Sequence, residues 1–261
     1  MQRWRQTAGS SPGEERSVPR ALLTVTVATV YIAAGLWLDR YVDRREQLLL
    51  GVLTAAVLGA LLLLQPAAVR IQTLAVVGIA TMGEVIGSLI WGLYTYRLEN
   101  LPAFVPPGHG LVYLTGLSVA TLMAKRPRIL LIGAGLGAVG WGVAGVTILP
   151  AADASGAMGC AFLIAVLLWT RRPVYAGVFV AVAALEIYGT AIGTWTWQPV
   201  VPVLGMPQGN PPSGAASGYV VFDVLALALT STAVAARWRV WRRMIRGTSR
   251  IMRSGASAAR P

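Results

Sequence analysis

Long apolar runs punctuated by arginine constrain this chain more than any other feature. Eight such runs are present, at 20–38, 49–66, 71–94, 110–124, 129–149, 156–170, 173–195 and 218–236. About 20 apolar residues cross a bilayer core as a helix. A soluble fold is excluded by the balance of residues. Hydrophobic residues make up 56% and charged residues 12%, whereas soluble domains carry about 25% charged. The expected fold class is an all-α polytopic membrane protein with about eight transmembrane helices. The fourth and sixth runs are short, which leaves seven crossings and one re-entrant segment as an alternative.

The net charge of +12 would point to nucleic acid in a soluble chain. Here the arginines gather at the ends of apolar runs, so they set orientation, and no nucleic-acid partner is expected. With both termini cytoplasmic, 18 of the 22 Lys and Arg fall on the inner side. The weak point of that assignment is the outer segment "DRYVDRRE", whose three arginines accompany three acids. Residues 1–19 read as a disordered basic cytoplasmic stretch, and the run that follows reads as a retained span, not a cleaved signal. The lone Cys160 cannot form an intrachain disulfide. The tail 237–261 interleaves arginines with Trp238, Trp241, Met244 and Ile251. It is expected to lie as an amphipathic helix on the anionic inner leaflet, or to dock an acidic protein partner. The expected location is a bacterial plasma membrane.

The chain also resembles itself. "GEVIGSLIWGLYTYRLENLPAFVPPGHGLVY" from Gly83 parallels "LEIYGTAIGTWTWQPVVPVLGMPQGNPPSGAASGY" from Leu185. Glu84 pairs with Glu186, Gly87 with Gly189 and Arg70 with Arg172, all at an offset of 102. "GLYTY" then matches "GTWTW", and Pro106-Pro107 matches Pro211-Pro212. Such an offset spans four helices and keeps orientation, so 20–124 and 129–236 read as two parallel four-helix repeats with a binding region between them. Both matched loops would face outward.

The residues that could carry chemistry follow from this frame. A carboxylate in hydrocarbon costs about 2.5–3.5 kcal/mol on insertion scales, so it faces protein or a wet cavity. Glu84 and Glu186 are therefore either protonated groups bonded across the repeat interface or a proton-transferring pair. Gly83 with Gly87, and Gly189 with Gly193, read as small-residue patterns for close helix approach. Asp223, a turn into the last helix, would join Glu186 in a polar cluster or reach to the interface. Asp153, in the turn "LPAADASGA", is expected to be solvated. Tyr94, Tyr96, Trp195 and Trp197 read either as an interfacial aromatic belt or as extended chain lining a groove for a flat apolar ligand. The only histidine, His109, has no counterpart in the second loop, where "NPPSG" offers Asn210 and Ser213. It is expected to be an interfacial polar group, or else to bond Glu84 or a ligand and titrate near neutrality.

Several chemistries are excluded. "GLGAVG" at 135–140 satisfies a dinucleotide fingerprint but lies inside an apolar helix with no preceding strand, so helix packing is the better reading. One histidine cannot build a multi-histidine metal site, and the chain has no phosphate-binding loop or nucleophile elbow. No cofactor is specified.

The pattern Glu-x-x-Gly, small and aromatic residues ending in "YTY" or "WTW", and a proline-bearing loop resembles carotenoid-biosynthesis membrane proteins of the bacterioruberin-hydratase type. The resemblance covers about 84–113 and, more faintly, 186–219. It implies a membrane enzyme that adds water to an isoprenoid double bond, with Glu84 or Glu186 as proton donor. The expected function is accordingly acid–base chemistry on, or binding of, a lipid or isoprenoid at an outward-facing polar site. Glu84, Glu186, His109 and Asp223 would be its chemical groups. Tyr94, Tyr96, Trp195, Trp197 and Asn210 would contact the ligand. A proton-coupled transporter or lipid carrier, and a non-catalytic subunit of a larger complex, are the alternatives.

Overall fold

The computed structural model describes residues 12–149 and 152–230; residues 1–11 and the basic tail 237–261 lie outside the described residues. Among the described residues the chain is mostly helical. Its helices are α1 (Pro12–Asp39), α2 (Arg44–Leu63), α3 (Ala67–Glu84), α4 (Val105–Leu122), α5 (Pro127–Thr147), α6 (Ala154–Thr170), α7 (Pro173–Ala191) and α8 (Ala215–Thr230). α3 continues as a wider π-helical turn, Val85–Ile90. Two three-residue strands, β1 (Tyr94–Tyr96) and β2 (Trp195–Trp197), follow α3 and α7. Five helices are long and apolar enough to cross a membrane: α1 from Ser17, α2, α3 with its π turn, α5 and α7. α6 and α8 are shorter apolar helices.

Where the helices depart from the apolar runs, local chemistry explains it. α1 reaches back to Pro12, so 12–19, expected to be disordered, are helical; extending a formed helix costs far less than nucleating one. α3 and α7 end short of 94 and 195. Gly92 (φ +71°) and Gly193 (φ +77°) take up the left-handed backbone that ends each helix, and the aromatic triplets leave as extended chain. Gly193 therefore makes a turn and is not a helix-packing notch. α4 starts at Val105, five residues earlier than its apolar run, because Pro106 and Pro107 occupy the first turn, where a missing N–H costs nothing.

α4 is the central helix. Residues 109–116 are buried without interruption, the pattern of a helix surrounded by protein on every side. It packs on α1, α2, α3 and α7. The α4–α7 crossing depends on Gly116 and Gly177: a methyl group at Gly116 would lie 2.7 Å from the Val178 backbone nitrogen, and one at Gly177 would strike the Gly116 carbonyl. Two further glycines seat loops. A methyl at Gly51 in α2 would lie 2.6 Å from Ala103 Cβ, and one at Gly159 in α6 would lie 2.8 Å from the Gly214 carbonyl oxygen. The glycines of "GLGAVG" do not tighten the bundle: Gly135 and Gly140 face open space, and Gly137 only brushes Phe179.

Polar ties hold the loops at the end where α3 and α7 finish. Arg97 pairs with Asp39 at 3.5 Å and donates to the carbonyls of Asp39 and Val42. Gln47 donates to Asp39 at 2.6 Å, and Asp43 with Glu46 forms a capping box on α2. The three acids of "DRYVDRRE" are thus engaged in local structure. Asp153, expected to be solvated, is fully buried. Its carboxylate accepts from the backbone N–H groups of Gly156 (3.0 Å), Gly209 (2.8 Å) and Ser213 (2.7 Å), joining α6 to the loop before α8.

Asp153→Ala would orphan three buried amides. It is expected to lower stability by about 2–4 kcal/mol, read as a fall in unfolding midpoint in detergent micelles. Asp153→Asn, which keeps one acceptor oxygen, is expected to lose less. An unchanged midpoint in the alanine variant would show that other groups satisfy those amides.

Candidate functional site

Each glutamate sits near the end of its helix, and the strand that follows folds back over it. In a strand, residues two apart share a face. Tyr94 and Tyr96 therefore point together toward Glu84, and Trp195 and Trp197 point toward Glu186, while Thr95 and Thr196 turn outward. Both phenols donate to Glu84 Oε2, at 2.6 and 2.8 Å. Both indole N–H groups donate to Glu186 Oε2, at 3.0 Å each. The glycines one turn beyond the acids make room: Gly87 faces the Tyr94 ring, and Gly189 lies against the Trp195 indole. Gly83 instead admits Phe222 of α8.

The two strands pair antiparallel, with Tyr94 opposite Trp197, Thr95 opposite Thr196 and Tyr96 opposite Trp195. This register is unchanged when the strands are exchanged. Cross-strand rings touch, with centroids 4.4 Å apart for Tyr94–Trp197 and 6.2 Å for Tyr96–Trp195. Cross-strand aromatic pairs stabilise such a ribbon, and here they lock the two carboxylate clamps against one another.

His109 breaks the symmetry. It is 4% exposed, not interfacial, and its Nε2 pairs with Glu84 Oε1 at 3.0 Å. Its ring lies 5.0 Å from that of Tyr219, centre to centre, and 6.2 Å from that of Phe222. Nδ1 is buried without a hydrogen-bond partner. Glu84 thus has both oxygens engaged. Glu186 has both donors on one oxygen, and its Oε1 receives no hydrogen bond among the described residues.

These groups surround one cavity of about 210 Å³, below the roughly 300–1,000 Å³ of pockets that engulf a whole drug-sized ligand. It suits a segment of an apolar molecule. Glu84, His109 and Glu186 line it together with Tyr94, Tyr96, Trp195 and Trp197. The belt reading is corrected for three of the four aromatics: Tyr94, Tyr96 and Trp195 are buried, their polar atoms donating to the acids. Further walls come from α1, α2, α4 and α8 and include Tyr31, whose hydroxyl lies 2.8 Å from Thr54 Oγ1.

Two expected members stand apart. Asn210 does not line the cavity; its Oδ1 accepts from the Trp197 backbone N–H at 3.1 Å and so positions β2. Asp223 is buried with Oδ2 unpartnered and does not line the cavity either. Its helical neighbours Tyr219 and Phe222 do, and sequence reading passed them over because no charge marked them. Their spacing of three residues, one helical turn, was the available signal. No group of three or more His, Cys, Asp or Glu suited to a metal occurs among the described residues.

Burial, and next to it the negative charge of Glu84, pushes the Tyr94 and Tyr96 phenols well above the ordinary tyrosine range. The protonated phenols persist in the folded state, whereas unfolded ones ionise near pH 10. Stability contributed by these groups is therefore complete below about pH 10 and is lost as pH rises above it. In an absorbance titration at 295 nm, wild type and the Tyr94→Phe/Tyr96→Phe variant are expected to coincide while folded and to diverge by two phenolates on alkaline unfolding. Divergence in the folded state would contradict the burial.

Comparison of the chain with protein-family models, curated proteins and solved structures returns no match.

Proposed function

We propose that this chain is a multipass plasma-membrane protein that acts on an isoprenoid or similar unsaturated lipid by acid–base chemistry in the aromatic-lined cavity. In this reading α1–α4 and α5–α8 are parallel repeats about an axis along the membrane normal, both termini are cytoplasmic, and the strand pair lies at the outer end. The exchange-symmetric strand register supports the repeat. So do the equivalent clamps on Glu84 and Glu186 and the matched glycine notches at Gly51 and Gly159. An axis of that kind reverses strands lying in the membrane plane, as β1 and β2 are reversed.

One observation carries the functional reading: two buried carboxyl groups in different hydrogen-bonding states line one largely apolar cavity. Protonated Glu186, with Oε1 uncommitted, donates its proton to one alkene carbon. The π electrons form the new C–H bond and leave a carbocation on the neighbouring carbon. Water adds to that carbon, and the Glu84–His109 pair accepts the proton it releases. Passage of this proton back to Glu186 closes the cycle, for a net addition of one water. Excluding bulk water keeps the carbocation from indiscriminate capture, and the surrounding ring faces stabilise positive charge. The resemblance to carotenoid-biosynthesis hydratases points to the same chemistry.

Purified protein in lipid nanodiscs is expected to convert an isoprenoid polyene to a product heavier by one water. Glu186→Gln and Glu84→Gln should each slow conversion by about 100-fold or more. Full activity in both variants would defeat the reading.

A further inference from the structure

We infer that the cavity is built to hold an apolar ligand carrying a single positive charge. This takes the cavity to be the ligand site, as the proposed function does, and adds which ligands it selects. The lining residues include two carboxyl groups and one imidazole, and no lysine or arginine. His109 is committed to Glu84, so Glu186 faces the cavity without a cationic partner. Arg97, close by in sequence, is turned away onto Asp39 and Val42.

The donors tell the same story. Both strand phenols and both strand indoles are spent on the glutamates. An anionic or carbonyl-bearing ligand would therefore find these four donors already engaged, and it would meet carboxyl oxygens. A cation would meet the carboxyl group of Glu186, whose Oε1 has no donor among the described residues, and the aromatic rings of Tyr94, Trp197, Tyr219 and Phe222 that line the cavity. Ring systems attract a cation, most strongly when both are removed from water, and Glu186, once it has given up its proton, attracts that cation the more strongly as the local dielectric falls. The apolar remainder of the wall, from Ile32, Leu36, Leu50 and Leu185, accommodates a hydrocarbon body.

A permanently charged amphiphilic amine and a carbocation formed from an alkene present the same chemistry to these walls. Hexyltrimethylammonium and its uncharged carbon isostere 2,2-dimethyloctane separate charge from shape, and hexylsulfonate reverses the charge. Binding of each to full-length protein in nanodiscs, followed by tryptophan fluorescence and corrected against empty nanodiscs, should rank cation over isostere by about tenfold or more, with the sulfonate weakest. Glu186→Gln should abolish the preference, and Glu99→Gln, an exposed acid outside the cavity, should retain it. Equal binding of cation and isostere to wild type, or an unchanged preference in Glu186→Gln, would overturn the inference. Isoprenoid conversion in the same preparation separates the sources. Preference with conversion supports a transient cation, and preference without conversion supports a carried amphiphile while the hydration reading fails. Conversion without preference leaves hydration standing and sinks this inference.

Discussion

The cost of placing a carboxylate inside an apolar bundle organises this molecule. Glu84 and Glu186 are buried in largely apolar helices, where a carboxylate left without donors is costly. Each needs donors, and each finds two in the strand that follows its own helix. Delivering those donors requires the helix to stop, the chain to reverse through a left-handed glycine and the next residues to run extended with side chains two apart on one face. The strand pair, the early helix ends and the cavity beneath them follow from that requirement.

The two clamps use different chemistry for the same task. Phenols serve Glu84 and indoles serve Glu186, and only Glu84 has an additional partner, in His109. An otherwise matched pair of acids is thereby made inequivalent: one has both oxygens committed, the other has one free. General acid–base catalysis depends on such a difference, because one group must give a proton while another takes one. Asp153 uses the same physics for architecture alone. It is as buried as the glutamates, yet three backbone amides consume it, and nothing is left over to face a ligand.

The apolar helices, eight of them among the described residues, and the matched Glu-x-x-Gly segments were legible because hydropathy and spacing act locally along the chain. The direction of "YTY" and "WTW" was legible in part: alternation marked extended chain, but it could not say that the two triplets pair with each other 101 residues apart, or that the rings turn inward as donors. Asp153 was placed at a wet surface because polarity alone argues for water, and the same argument left His109 open between the interface and a bond to Glu84. Each is buried because partners from distant segments satisfy it. Asp223 was drawn toward Glu186 by its charge, whereas helical geometry puts Tyr219 and Phe222 at the cavity and leaves Asp223 outside it.

By itself, then, the sequence determined that the chain forms apolar helices and which acids had to be accommodated among them. Tertiary structure alone decided which donors meet those acids, that both clamps face one cavity, and that His109 makes the pair unequal. The reason is physical: hydrophobic periodicity and turn chemistry are properties of neighbouring residues, while satisfying a buried charge is a property of whatever the fold brings within about 3 Å of it.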